Sequence, residues 1–122
     1  MAFLAIGIGG AFGAILRYSL SVSMLVSNGF PYMTLSMNII GSFLLAYLLT
    51  RQTIIQNSHL KLGVTTGFLG GFTTFSTFSL EALTLLQQQL YGSAIMYVFC
   101  SSIGCVLASY TGLRFAKRGV QG

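Results

Sequence analysis

Residues 67–79 read GFLGGFTTFSTFS and lie inside a long apolar stretch that is expected to cross a membrane. A helix facing only lipid has no use for three glycines, five Ser/Thr residues and four phenylalanines in so short a string. Gly70-Gly71 followed by Thr73-Thr74 predicts an interruption of the helix. An interruption frees backbone amides and carbonyls, and in hydrocarbon each unpaired group is costly. Irregular backbone at membrane depth is tolerated where it lines a cavity or binds an ion. The string therefore points to a transport or permeation site.

Composition fixes the class around this string. The chain has 122 residues, 54% hydrophobic and 6% charged, with a mean hydropathy of +0.82. Soluble domains carry about 25% charged residues, so there is too little polar surface here to cover a water-soluble fold. Four apolar segments are long enough to span a bilayer: 3–26, 33–49, 60–86 and 92–115. The expected fold is an all-α membrane protein, one four-helix membrane domain over residues 1–122, with a break in the third helix. That third segment, about 26 residues at 1.5 Å each, runs to roughly 39 Å against a hydrocarbon core of about 30 Å. The connections 27–32, 50–59 and 87–91 are short and polar, with Asn28-Gly29 and Pro31 as turn signals. Residues 1–26 lack a basic leader and contain Arg17, so they read as a retained first helix rather than a signal peptide.

The net charge of +5 does not indicate a nucleic-acid partner. The basic residues sit at the ends of apolar segments, where they anchor to headgroups and set orientation. Cys100 and Cys105 are five apart in an apolar segment and do not face each other on a helix, so they read as packing residues. His59 reads as a surface residue at a segment end.

Polar groups inside the spans each need an account. Thr34, Asn38 and Ser42 share one face of the second helix. Asn38 either ties two helices together or presents its amide donors to an ion. Tyr97, Ser101, Cys105 and Ser109 form a second stripe on the fourth helix, open to the same two explanations. Phe75 and Phe78 share a face beside the Gly/Thr string; they pack a core or turn their positive ring edges to an anion. Arg17 and Glu81 are the charges inside spans, expected as a buried orienting pair or as vestibule charges. Ala5, Gly9, Gly13 and Gly63, Gly67, Gly71 form small-residue stripes that join helices within one chain or between chains. Four helices enclose little, so a dimer is expected. No catalytic constellation is present in the sequence, and the chain is not expected to be an enzyme.

Three stretches together resemble the Fluc/CrcB fluoride channel family over essentially the whole chain: GGAFGAILRY from Gly9, TLSMNIIGSF from Thr34 and GFLGGFTTFSTFSLE from Gly67. The resemblance implies a multi-pass protein of the inner (plasma) membrane that gives passive fluoride efflux. It implies a dual-topology antiparallel homodimer with two pores, in contact with membrane lipid. Asn38, Phe75 and Phe78 match the pore-lining residues of the family, with Ser76, Thr77, Tyr97 and Ser101 as further pore groups. A structural sodium ion, not transported, is implied on backbone carbonyls of Gly70 and Thr73.

Two alternatives stand beside this. Arg51, Lys61, Arg114, Lys117 and Arg118 fall on one side of a four-span topology, which favours a single orientation and an oppositely oriented homologue as partner. A small multidrug-type proton-coupled exporter has similar length, but such exporters use a carboxylate in the first helix, and here the one carboxylate is Glu81. A transport-free membrane scaffold leaves the Gly/Thr string and the Phe pair without a purpose.

Overall fold

The computed structural model describes residues 1–23, 29–51 and 54–119. The expected end of the first span at Val26, the turn residue Asn28 and residues 52 and 53 of the second connection lie outside that set. Among the described residues all regular structure is helical: α1 (Ala2–Ser23), α2 (Tyr32–Thr50), α3 (Ser58–Leu62), a π-helical segment (Gly63–Leu69), α4 (Gly70–Phe72), α5 (Phe75–Gln87) and α6 (Tyr91–Arg118). Among the described residues three helices, α1, α2 and α6, are long and apolar enough to cross a membrane. The chain is a multi-pass membrane protein. Its outer surface agrees: Phe3, Tyr18 and Val106 are mostly exposed, as side chains bathed in lipid rather than water can be.

The third segment is where sequence and structure differ most. A single interruption at the Gly/Thr string was expected; a run of several shorter pieces is found, and the segment bends at Thr73 and Thr74. Asn57 starts it, its Oδ1 accepting from the amides of His59 and Leu60. The seven π-helical residues that follow are absent from the sequence expectation. The α1 backbone closes on this stretch. A Cβ added at Gly9 would lie 2.0 Å from the Gly63 carbonyl oxygen, and one at Gly13 would lie 2.1 Å from that of Phe68. The reciprocal contacts put Gly67 against Ile6 and Gly71 against Gly10. Both small-residue stripes are thus spent on each other within one chain.

These contacts run in register, so α1 and the segment 58–72 are parallel. Along the second pair, Gly104 meets Ile39, Gly112 meets the Phe43 carbonyl and Gly119 meets Arg51, so α2 and α6 are also parallel. The α5–α6 turn reverses the chain. It closes with Gln89 N–H on Leu86 O and Leu90 N–H on Leu85 O, the pattern of a helix ended by a left-handed residue. That residue is Gln89, at φ 60°. The result is an up-down-up-down bundle. Gly29 and Leu90 touch at one end, and Arg51 and Gly119 at the other. Before the bend the third segment packs on α1; after it, α5 packs on α6 and α2. A small core sits at that junction: Leu85, Ala94 and Tyr97, bordered by Phe30, Leu35, Phe78 and Ala82.

The glycine contacts give a direct test. Gly13→Ala places a methyl against backbone, which cannot swing away as a side chain can. It should cost about 1–3 kcal/mol, read as a lower thermal unfolding midpoint in detergent. Gly7→Ala, whose added carbon meets open space, should leave the midpoint unchanged.

Candidate functional site

The site is built on the bend. Thr73 (φ −80°, ψ 151°) and Thr74 (φ −150°, ψ 128°) are extended, between the end of α4 and the start of α5. In a continuous helix the Thr74 amide would bond the Gly70 carbonyl, and the Thr77 amide that of Thr73. Neither does so here. Thr74 N–H donates to Asn38 Oδ1 at 2.9 Å, and Asn38 Nδ2 donates back to Thr74 O at 3.0 Å. Thr77 N–H donates to Thr74 Oγ1 at 3.1 Å, making Thr74 the cap of α5. Arg17 closes the other side: its Nε donates to Gly71 O and an Nη to Thr77 Oγ1, each at 3.1 Å. Side chains from α1 and α2 thus take up backbone that the bend releases. The helix tie consumes one Asn38 amide N–H and leaves the second.

Asn38 and the bend form one wall of an open groove of about 510 Å³. Thr73, Thr74, Phe75 and Phe78 continue that wall, and Ser101, Ser102 and Cys105 of α6 face it. Among the described residues no charged side chain lines it. Ser101 is 6% exposed, and its hydroxyl has no hydrogen-bond partner. Such a buried orphan is rare and calls for a ligand or water. The Phe75 and Phe78 rings lie 5.7 Å apart, tilted by 37°. Phe78 is backed by Tyr97 at 5.2 Å, whereas Phe75 is 80% exposed. The groove therefore offers neutral donors and ring edges, which can coordinate an anion without fixing it by full charge.

Beneath the groove lies a second polar cluster. Glu81 accepts from Thr34 Oγ1 at 2.8 Å and from Tyr97 Oη at 2.6 Å, which ties α5 to α2 and α6. The expected Arg17–Glu81 pair is corrected by these contacts. Arg17 reaches α5 one turn early, at Thr77, and Glu81 finds its partners on α2 and α6 instead. The i, i+4 spacing of Thr77 and Glu81 separates the two charges along one helix face.

The structure thus brings Asn38, Thr73, Phe75, Phe78, Ser101 and Gly70 to one groove. Tyr97 lies outside the lining, fully buried under Phe78. Thr77 is engaged by Arg17 and Thr74, and Ser76 is an exposed hydroxyl 3.3 Å from Thr74 Oγ1. Thr74 is the hub that sequence reasoning left out of the site. Its signal was present: threonine directly before a helical apolar run is a preferred helix N-cap. Ser42, Leu45, Ser102 and Cys105 complete the lining.

The Asn38–Thr74 pairing makes a prediction. Asn38→Leu strands a backbone N–H and a carbonyl at membrane depth, at about 1–3 kcal/mol for each group. Thermal unfolding in detergent should show the loss. Asn38→Asp, which keeps the acceptor but loses the donor, should fall between Leu and the unaltered chain.

Comparison with known proteins gives this arrangement its context. The model for the family described as CrcB-like protein, Camphor Resistance (CrcB), matches residues 4–113. The chain is 40% identical over 119 residues to the fluoride-specific ion channel FluC of Geobacter sulfurreducens, covering 94% of this chain and 96% of that one. It is 43% identical over 117 residues to the protein of the same name from Sulfurovum sp., at 94% and 93% coverage. It is 46% identical over 113 residues to that of Magnetococcus marinus, at 88% and 91%.

Proposed function

This chain belongs to the CrcB-like protein family, and from that premise we propose that it forms a fluoride-specific channel of the plasma membrane. Fluoride leaves the cell through it down its electrochemical gradient. The observation that carries this reading is the groove between the bend and α6. Fluoride holds its water tightly, so a pore must supply donors in exchange. The remaining Asn38 N–H, the orphan Ser101 hydroxyl and the edges of Phe75 and Phe78 are such donors. A lysine or arginine there would bind the ion too firmly for conduction. The exporter alternative gains nothing from the structure, since both oxygens of Glu81 are engaged by hydroxyls.

A groove open along one side needs a cover. We propose that a second copy, inserted antiparallel, supplies it, so that the dimer contains two pores. The exposed Phe75 ring is the feature that most needs such a partner. A structural sodium ion fits the bend. The amides that a continuous helix would aim at Gly70 O and Thr73 O are taken by Asn38 and Thr74. Carbonyl oxygens left without ladder partners suit a hard cation. Gly70 and Thr73 would hold it, and it would supply positive charge near the anion path without being carried.

One observation favours a second reading of the partner. Arg51, Arg114, Lys117 and Arg118 share the end where α2 and α6 finish, and Lys61 of α3 lies at that same end of the up-down bundle. The positive-inside bias then holds this end in the cytoplasm, and the antiparallel partner would be an oppositely oriented homologue. Labelling of the N-terminus in intact cells separates the two. A dual-topology homodimer is labelled equally from both faces, and a one-orientation chain from one face only.

The channel itself is tested by anion efflux from liposomes holding the purified chain alone. Fluoride should leave rapidly and chloride should not. Phe75→Ile and Asn38→Asp should each slow fluoride by about tenfold or more, equivalent to ~1.4 kcal/mol on the barrier. Equal passage of chloride would overturn the reading.

A further inference from the structure

The α2–α6 pair carries a second groove, which shares no lining residue with the first. It encloses about 400 Å³ and is almost wholly apolar. Ile40, Phe43 and Leu44 form one side, and Gly104, Leu107 and Thr111 the other. It exists because the two helices approach through glycine: a Cβ at Gly104 would lie 2.9 Å from the Ile39 side chain, and one at Gly112 would lie 2.4 Å from Phe43 O. From Gly104 to Thr111 the trough runs about 10 Å along the helix, a stretch that matches part of an acyl chain.

We propose that this face binds an anionic phospholipid, with an acyl chain in the trough and the phosphate held by Arg114 and Arg118. The stripe of α6 that lines the trough continues straight into these residues: Leu107, Thr111, Arg114 and Arg118 recur at spacings of four, three and four. Arg114 is exposed and oriented. Its Nε donates to Tyr110 Oη at 2.8 Å, and its guanidinium lies 5.3 Å from the centroid of that ring. Its two terminal nitrogens remain for the forked geometry that phosphate accepts. Arg51, by contrast, is committed to Tyr47 Oη and the Gly119 carbonyl. Among the described residues no carboxylate side chain competes at this end, because the sequence's one acidic residue is Glu81, held in the core by Thr34 and Tyr97. A zwitterionic headgroup would bring its ammonium to two arginines. An anionic headgroup brings no such repulsion, so charge selects the occupant.

The chain contains no tryptophan, so one can be introduced as the sole reporter. Phe115, which meets Phe43 edge-on at the basic end of the trough, is the position for it. The full chain carrying Phe115→Trp is placed in phosphatidylcholine vesicles with increasing amounts of brominated-acyl phosphatidylglycerol or brominated-acyl phosphatidylcholine. Phosphatidylglycerol should quench half the fluorescence at a mole fraction at least about threefold lower. Adding Arg114→Gln and Arg118→Gln should erase that difference while fluoride efflux persists. Mass spectrometry of lipids retained by the unsubstituted chain should show the same enrichment without any reporter. Equal quenching by the two lipids, or a preference that survives loss of both arginines, overturns the proposal. So does absence of quenching by either, which would mean that a second chain covers the face. The readout is lipid association, so its failure leaves the fluoride reading standing.

Discussion

The Asn38 amide pairing with the backbone of Thr74 is the constraint around which the rest is arranged. A helix that gives way inside a membrane releases donors and acceptors that neither lipid nor water can take up. Here one side chain from a neighbouring helix meets an N–H and a carbonyl of the same residue, at 2.9 and 3.0 Å. Arg17 does similar service for Gly71 from the opposite side. With those groups satisfied, two residues can stay extended and the segment can change partners, leaving α1 and joining α6 and α2. The groove is a by-product of that change of direction: α5 sets out from α2 toward α6, and a space stays open between them.

Close packing on the other side of the bend rests on backbone rather than on side chains. In a bilayer there is little hydrophobic gain in bringing helices together, so association depends on contact distance and on polar pairs. The glycines of α1 and the π-helical stretch allow carbonyls and α-carbons to touch directly. The stretch is thereby anchored along its length before the chain bends. The polar pairs lie farther along, where Glu81 receives hydroxyls from two helices. Rigid contact upstream and polar contact downstream hold the two extended threonines from both ends.

Much of this was legible in the sequence, and the limits follow from physics. Apolar length marked the membrane segments, and the basic residues marked one end. The Gly/Thr string marked the place where helical backbone lapses, because glycine and threonine together weaken the ladder and supply local caps. Which partner each polar group finds was not legible, since that depends on which helices touch. Arg17 and Glu81 looked like a pair because both were charges at similar depth; the packing set them on different neighbours. The π-helical stretch left no signal, because Gly63 and Gly67 suit a close approach in either helix type. Thr74 was passed over because only its cap role can be read from residue identity; its pairing with Asn38 runs through the main chain, about which identity says little.

The pairing also has an order in time. Asn38 precedes Thr74 by 36 residues, and Arg17 precedes Gly71 by 54. Proteins are made from the N-terminus onward, and segments leave the ribosome in that order. When the third segment enters the bilayer, the two side chains that complete its bend already stand on earlier helices. The costly backbone is therefore never first into the membrane, and a chain read in the opposite order would have to insert the same bend with no partner to receive it.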